Sequence, residues 1–329
     1  MKADDRDCST TGRFVKNEAQ RFEEAQSINQ GADNYYMATP RLAITKTPKV
    51  YVGGAFIRSE SGRTFPIFED GKTDGKFYAN IPQCTRKDLR NAVEAAAKAG
   101  PDWAKRTPYN RGQILYRLGE MIESRSLEMA EALGVSGISK GEAEKEVATT
   151  VDRLIYYAGW ADKYAQVVGN TNPVAGPFFN FTVPEPMGII GVIAGDSDPL
   201  LGLISQIAPV IVSGNTVIAL VSETQPYPAI VLGEMLATSD LPGGVVNLLT
   251  GFRRELLPTF ATHTHIRGIS AVVGAEERKE LALGAADSVK RVKTRKAEEK
   301  FDWNSDSAQG VYDIKDFIEF KTTWHPIGV

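Results

Sequence analysis

The chain has 329 residues, of which 42% are hydrophobic and 24% charged, and its formal net charge is −3. This composition excludes wholesale disorder, and the slightly acidic balance disfavours a nucleic-acid-binding or polybasic membrane-surface protein. No run approaches the roughly 20 apolar residues of a membrane span. The two cysteines, Cys8 and Cys84, are too few for a disulfide framework and predict a reducing, cytoplasmic location.

The first half of the chain predicts a polar extension followed by a hairpin and helices. Residues 1–45 are polar and aperiodic, which favours a partly disordered extension. Apolar residues flank Gly53-Gly54 and predict a hairpin over 50–57, and residues 61–66 predict a further turn. Thr85 is a plausible N-cap, with Asp88 three residues on. Apolar residues at helical spacing then predict helices over 86–97, 111–125, 127–133 and 142–164.

The second half predicts strands that alternate with helices. A strand over 178–183 is expected to end at Pro184 and Pro186. Continuous apolar runs then predict strands over 188–194, 216–221, 245–249, 266–273 and 289–294, with helices between them. This order predicts an α/β fold with a doubly wound, parallel, Rossmann-like sheet.

The C-terminal residues predict one isolated strand. Residues 312–324 alternate, with four side chains on one side: Ile318, Phe320, Thr322 and Trp324. A lone amphipathic strand needs a sheet edge to pair with, so these four residues are candidate interface residues.

Several short segments, in their order and spacing, are similar to one family. They are Tyr51-Val52-Gly53-Gly54, Pro186-Met187-Gly188-Ile189-Ile190-Gly191-Val192-Ile193, Ser213-Gly214-Asn215-Thr216-Val217, Ser222-Glu223, Leu241-Pro242-Gly243-Gly244-Val245-Val246-Asn247, Thr250-Gly251 and Lys290-Arg291-Val292. From about residue 50 to 292, and again at its tail, the chain resembles the aldehyde dehydrogenase superfamily.

The resemblance implies a domain plan. Residues 46–296 correspond to a nucleotide-binding-type domain that includes a small bridging hairpin at about 167–186. Residues 297–311 form a linker where the family has its catalytic domain, and residues 312–329 form an oligomerisation strand. Because a domain takes at least about 50 residues, the chain is expected to be a truncated pseudo-enzyme without the catalytic domain.

The family's catalytic residues have no counterparts in this sequence. Family chemistry needs a cysteine thiolate, but no cysteine follows Cys84, which we interpret as a half-buried structural thiol. Ser197 stands where the family has its oxyanion-stabilising Asn, and Arg295 stands where it has the general-base Glu. We therefore expect no catalytic residue. His263 and His265 are too few for a zinc site, so no metal is expected.

Cofactor binding is also expected to be weak or absent. The family holds the adenosine ribose with a Lys and a Glu; here Glu223 remains but Leu220 replaces the Lys. Of the pyrophosphate loop only Gly274 survives, and Glu276 and Glu277 crowd the helix start beside it. We interpret Glu223, Gly274 and Glu276 as vestiges of an NAD site.

The retained tail suggests a function. In the family the C-terminal strand extends the catalytic-domain sheet of a neighbouring subunit. The sequence therefore predicts a non-catalytic structural or regulatory subunit of a hetero-oligomeric, NAD-linked complex, whose partner is a full-length catalytic aldehyde dehydrogenase. Three alternatives remain: an aldehyde dehydrogenase with relocated catalytic residues, a nucleotide-binding sensor, and the product of a decaying gene.

Overall fold

The computed structural model describes residues 46–72, 74–299 and 301–328, so the predicted extension over 1–45 lies outside the described residues. The described chain begins with the predicted hairpin, formed by β1 (Val50–Val52) and β2 (Ala55–Ile57). It turns at Gly53 and Gly54, whose φ angles of 63° and 86° cost glycine little.

A second, two-stranded sheet follows this hairpin. It pairs β3 (Thr64–Phe68) with β4 (Phe77–Pro82) in antiparallel register. The expected turn over 61–66 is therefore wrong in its second half, because Thr64 already pairs with Pro82. Strand β3 is exposed or half-buried at every position and β4 alternates irregularly, so neither forms the continuous apolar run that marks the parallel strands.

Five helices come next, and four of them were predicted. They are α1 (Arg86–Lys105), α2 (Pro108–Ser124), α3 (Ser126–Gly134), α4 (Lys140–Trp160) and the short α5 (Tyr164–Val168). The predicted start of α1 is confirmed, since Asp88 Oδ2 accepts a hydrogen bond from the Thr85 backbone N–H at 2.7 Å.

The bridging hairpin is formed by β5 (Asn170–Asn172) and β6 (Phe178–Pro186). Strand β6 continues through Pro184 and Pro186, where the sequence predicts its end. It can do so because β5 pairs only with residues 180–182 and leaves that edge of β6 open beside both prolines.

The parallel sheet follows with its helices. In chain order its elements are β7 (Ile189–Ile193), α6 (Leu201–Val212), β8 (Thr216–Leu220), α7 (Tyr227–Ala237), β9 (Val246–Leu249), α8 (Arg253–Thr262), β10 (Ile266–Val273), α9 (Ala275–Ala286) and β11 (Arg291–Lys296). The sheet order is β11–β10–β7–β8–β9–β1–β2, in which the first five strands are parallel and β1 pairs antiparallel with both β9 and β2. The predicted α/β fold is confirmed.

The core lies on both faces of this sheet. Alternate residues of β7 and β8 enter opposite clusters: Ile190, Val192 and Val217 pack on one face, and Ile193 and Leu220 on the other. Burial on both faces explains why these strands are continuous apolar runs in the sequence.

The chain then returns across the molecule to a final strand. The predicted strand over 312–324 is a short helix, α10 (Val311–Lys315), followed by β12 (Ile318–Pro326). Strand β12 pairs antiparallel with β6 along its whole length, from Ile318 opposite Pro186 to Pro326 opposite Phe178. The tail is thus not an isolated strand: it joins the bridging hairpin in a sheet of order β12–β6–β5. Across the described ranges, no helix is both long and apolar enough to cross a bilayer.

Candidate functional site

The carboxyl ends of the parallel strands meet at one edge of the sheet, where open α/β folds bind their ligands. We call this the carboxyl edge. It is formed by the loops that follow β7, β8, β9 and β10, together with the start of helix α9. These loops contain most of the site residues predicted from the sequence.

Asp196, in the loop after β7, is the centre of a hydrogen-bond network. Its Oδ1 accepts from Ser222 Oγ at 2.7 Å and from the backbone N–H of Glu223 at 3.0 Å and Thr224 at 3.3 Å. Its Oδ2 accepts from the Arg253 guanidinium at 2.7 Å. Burial by itself would raise the pKa of Asp196, but Arg253 and the hydrogen bonds hold it below its usual value.

Glu223 and Leu220, the predicted ribose-binding positions, lie beside this network and make contacts within the chain. Glu223 Oε2 accepts from the backbone N–H of Arg253 at 2.9 Å, in the first turn of α8. Leu220 is fully buried in β8 and belongs to the core. Thus the retained glutamate stabilises the start of a helix, and the residue in the lysine position packs among apolar side chains.

The N-terminus of α9 is the predicted pyrophosphate site, and two carboxylates occupy it. The backbone N–H of Gly274 donates to Glu277 Oε2 at 3.0 Å, and that of Ala275 donates to Glu298 Oε1 at 3.0 Å. Hydrogen bonds from its own backbone and that of Ala275 lower the pKa of Glu298, which keeps it anionic. Glu276 is exposed in the same turn. Glu277 and Glu298 therefore accept from the amides that a phosphate would need; of these two contacts, only the one from Glu298 was not anticipated from the sequence.

Arg295, in the general-base position, anchors the returning chain. Its guanidinium carbon lies 4.1 Å from the centre of the Phe301 ring and 5.4 Å from that of Trp303. A guanidinium nitrogen also lies 3.6 Å from Asp313 Oδ1. Ser197, in the asparagine position, is exposed in the loop after β7.

The segment predicted as a linker, 297–311, packs closely against the helices. Trp303 is only 3% exposed. The buried Arg153 guanidinium of α4 donates to the backbone oxygens of Trp303 at 2.7 Å and Ala308 at 2.6 Å, and to Ser205 Oγ at 2.6 Å. Sequence reasoning missed this anchor, because an arginine within a helical stripe normally indicates a solvated position.

An acidic cavity of about 670 Å³ lies next to this segment. Its charged lining residues are Glu142, Lys145, Glu146, Asp198 and Asp302. Glu146 Oε1 accepts from the backbone N–H of Leu200 at 2.9 Å and of Leu201 at 3.0 Å, at the start of α6. Burial raises the pKa of Glu146 to about 7. An excess of carboxylates here opposes an oxyanion.

The remaining candidate residues do not form a reactive site. Cys84 is fully buried, not half-buried as predicted, and burial followed by the charge of Asp88 raises its pKa to about 12. It therefore remains a thiol. The rings of His263 and His265 are 5.8 Å apart, and the described residues contain no metal-binding group of three or more side chains.

NAD does not fit this edge as the structure has it. The amides that would receive the pyrophosphate already donate to Glu277 and Glu298, whose charges repel a phosphate. Leu220 offers no cation for the ribose, and Asp196 with Arg253 fills the neighbouring loop. The fold and the site together define a dinucleotide-binding-type domain whose phosphate-binding groups are satisfied by the chain's own side chains.

Comparison with known proteins assigns the family. The model of the aldehyde dehydrogenase family matches residues 56–295. Retinal dehydrogenase 2 of Gallus gallus is 33% identical over 269 residues, which cover 79% of this chain and 51% of that protein. Retinal dehydrogenase 2 of Homo sapiens is 32% identical, with coverage of 77% and 49%. The chain therefore belongs to the aldehyde dehydrogenase family, and it spans about half the length of the curated relatives it matches.

Solved structures agree with this assignment. The NAD⁺ complex of an aldehyde dehydrogenase from Bacillus cereus matches with a TM-score of 0.72 at 25% identity, covering 76% of this chain and 51% of that one. HpcC from Thermus thermophilus gives the same TM-score at 28% identity, with coverage of 76% and 48%. The described chain shares the fold of about half of each structure.

Proposed function

We propose that this chain is a non-catalytic structural or regulatory subunit of a hetero-oligomeric, NAD-linked aldehyde dehydrogenase complex. Its partner would be a full-length catalytic aldehyde dehydrogenase. In this assembly β12 would add to the edge of a sheet in the partner. The catalytic cysteine, the general base and the dinucleotide site would all belong to the partner.

The observation that carries the proposal is the outer edge of β12. Within the described residues, β12 is the end strand of its sheet and pairs only with β6. Phe320 and Trp324 are 44% and 58% exposed, and the Trp324 ring lies 5.8 Å from that of Phe178. An exposed strand edge with aromatic side chains favours strand addition by a partner. Ile318 is only 1% exposed and packs within its own chain, so the prediction that it is an interface residue is wrong.

The register shows which backbone groups are free to pair. Hydrogen-bonded and non-bonded residue pairs alternate in antiparallel sheets. Pro184, which has no N–H, fits the non-bonded position opposite Phe320. The backbone N–H of Ile327 donates towards the hairpin, to Pro177 O at 2.8 Å, so odd-numbered residues face inwards. The N–H groups of Phe320, Thr322 and Trp324 therefore point to the outer edge.

The carboxyl edge supports a role without catalysis. No cysteine follows Cys84, and burial keeps that thiol protonated. Arg295 replaces the base, and it is held by Phe301, Trp303 and Asp313. The packing of the fold is retained where the groups needed for chemistry are not, which also disfavours the decaying-gene alternative.

Co-expression tests the proposal. The tagged chain is produced with each full-length aldehyde dehydrogenase of its own genome, and purified assemblies are examined by native mass spectrometry. We expect one hetero-oligomer containing both chains. Thr322→Pro removes an outward N–H and should abolish it, whereas Thr322→Val keeps the N–H and should assemble. A monomer or homo-oligomer that binds none of these enzymes would refute the proposal.

An activity assay separates the enzyme alternative. The purified chain, alone with NAD⁺ and short aldehydes, should give no NADH above the level of a no-protein control. Sustained NADH production by the chain alone would favour the alternative with relocated catalytic residues.

A further inference from the structure

The turn between α8 and β10 is built around His263. Its backbone N–H donates to Thr259 O at 3.0 Å and ends α8. Its carbonyl oxygen accepts from the backbone N–H of Ile266 at 3.1 Å, and its ring Nδ1 accepts from that of His265 at 3.3 Å. One histidine therefore ends a helix and holds the two amides that lead into the next strand.

The contact to the ring requires a neutral imidazole. A backbone N–H can only donate, so the His263 Nδ1 must offer its lone pair to the His265 amide. Protonation places a hydrogen on both ring nitrogens, so the acceptor is lost and two donors face each other. The turn therefore depends on pH through a hydrogen bond, before any effect of charge is counted.

The charged groups near His263 oppose its protonation as well. Its ring centre lies 5.8 Å from that of His265. Lys290, just before β11, is only 9% exposed, and Arg267 follows on β10. Within the described ranges, none of these four side chains lies within ion-pair distance of a carboxylate. Burial, followed by the charges of His265 and Lys290, lowers the pKa of His263.

In the part of the chain that the structure describes, the elements packed around the turn supply no carboxylate partner. Helix α1 shares a groove with the start of β10, and the titratable side chains that line it are His265 and Arg267. Helix α9 meets the end of α8 through Gly284, where an added Cβ would lie 3.4 Å from Thr262 Cγ2. A protonated His263 would therefore face cations and small uncharged groups.

Opening this turn would loosen the start of β10. Ile266, its first residue, is fully buried and pairs with Ile189 of β7. The register shifts between Ile266 and Gly268, so the ladder is irregular next to the turn. A Cβ on Gly268 would lie 3.0 Å from the Phe317 ring, so the residues before β12 pack on this part of the strand. The turn thus supports both the parallel sheet and the start of the tail.

We propose that the turn at residues 263–265 is a pH-sensitive latch on the start of β10. At neutral pH the uncharged His263 ring holds the His265 amide, and the turn is closed. At acidic pH the ring loses its acceptor, and repulsion from His265, Arg267 and Lys290 opens the turn. The inference is independent of the proposed subunit role, since the latch works within one chain.

The latch makes the chain less stable in acid. Because the pKa of His263 is lowered in the folded chain, the unfolded chain binds more protons near about pH 6. This contribution to stability is present above the ordinary histidine pKa of about 6.5 and is lost as the pH falls below it.

Urea denaturation between about pH 5 and 8 tests the latch, with His263→Asn as the variant. Asn Oδ1 can accept the His265 N–H as the ring does, but it does not titrate. We expect the unfolding constant of the parent to rise relative to that of His263→Asn as the pH falls, by up to about tenfold per pH unit, the limit for one proton. His325→Asn, at an exposed position of β12, is the control and should follow the parent.

Two outcomes of this titration would overturn the proposal. One is a pair of parallel profiles for the parent and His263→Asn. The other is the opposite slope, which attraction between a charged His263 and the C-terminus of α8 would give.

NMR on the parent chain tests the turn without a variant. At about pH 8 we expect the neutral His263 ring to carry its proton on Nε2, and the His265 amide to be protected from hydrogen exchange. At about pH 5 the amides of His265 and Ile266 should lose their protection, while those of β8 keep theirs. A proton on Nδ1 in the neutral ring, or unchanged protection in acid, would contradict the latch.

Discussion

At the carboxyl edge of the parallel sheet, Asp196 accepts three hydrogen bonds and pairs with Arg253. At the opposite edge, where the parallel strands begin and which we call the amino edge, Thr216 Oγ1 has no partner among the described residues. The carboxyl edge is where this fold binds its ligands. In this chain it is filled by its own carboxylates and by the returning segment around Trp303. A shared architecture therefore does not guarantee an accessible site: the side chains at the carboxyl edge decide whether a ligand can bind there.

The largest expected change in stability comes from removing Trp303, the tryptophan that closes the carboxyl edge. Trp303→Ala should lower the free energy of unfolding by about 3–5 kcal/mol, because the buried ring leaves a cavity above Gly202. Trp324→Ala is the matched control: it removes a 58% exposed ring and should change stability by less than about 1 kcal/mol. Urea denaturation measures both. Equal losses would contradict the packing described for residue 303.

Removing the carboxylate of Asp196 tests the network itself. Asp196→Ala should cost about 2–4 kcal/mol, since it leaves the Arg253 guanidinium and the donors of Ser222 and Glu223 without their acceptor. Asp102→Ala, at an exposed position of α1, serves as the control. A loss no larger than that of the control in urea denaturation would show that the carboxyl edge is not held closed by this residue.

The buried glutamate of the acidic cavity predicts a pH dependence. The pKa of Glu146 in the folded chain, about 7, lies above its usual value, so the folded state binds more protons between about pH 4.5 and 7. Its contribution to stability is therefore lost as the pH rises through this range. Glu146→Gln should remove that loss, so that the variant is more stable than the parent at pH 8 by about 2 kcal/mol.

Urea denaturation at several pH values measures the effect of Glu146→Gln. Glu142→Gln is an informative companion, because hydrogen bonds from Ser139 lower the pKa of Glu142. Its contribution is present at neutral pH and lost as the pH falls, which is the opposite slope. Parallel pH profiles for the parent and Glu146→Gln would show that Glu146 is not the titrating group.

The smallest expected effect concerns the amino edge. Thr216→Val removes a buried hydroxyl that has no partner, so it should raise the unfolding free energy by about 1 kcal/mol. Ser222→Ala makes a matched change at a hydroxyl that does bond, to Asp196, and should lower it instead. If Thr216→Val destabilises the chain, the hydroxyl has a partner and the contrast between the edges is weakened.

The sequence predicted the frame of the molecule well, because strands buried on both faces leave continuous apolar runs. All five parallel strands were predicted from these runs. The capping pair of Thr85 and Asp88 was predicted from the residue types at the start of α1. Periodicity failed for β3 and β4, which are only partly buried and lack a continuous apolar run, and for α10, a single helical turn placed before a strand. The end of β6 was also predicted too early. Pro184 and Pro186 fit within β6 because β5 does not pair with that part of the strand.

The site was predicted only in part. Comparison with the family's motifs at and after the strands identified Glu223 and Gly274. It also identified Ser197, Leu220 and Arg295 as residues that differ from the family's functional ones. The partners that decide their role come from distant positions: Arg153 meets Trp303 across 150 residues, and Glu298 reaches Ala275 across 23. No local pattern encodes such contacts.

Titration of the purified chain with NAD⁺ tests the central claim most directly, namely that the chain's own side chains occupy the carboxyl edge. Calorimetry up to millimolar NAD⁺ should give no saturable heat. A double variant, Glu277→Ala with Glu298→Ala, frees the amides of Gly274 and Ala275 and should gain measurable, weak binding of the dinucleotide. Micromolar binding of NAD⁺ by the unaltered chain would contradict the claim.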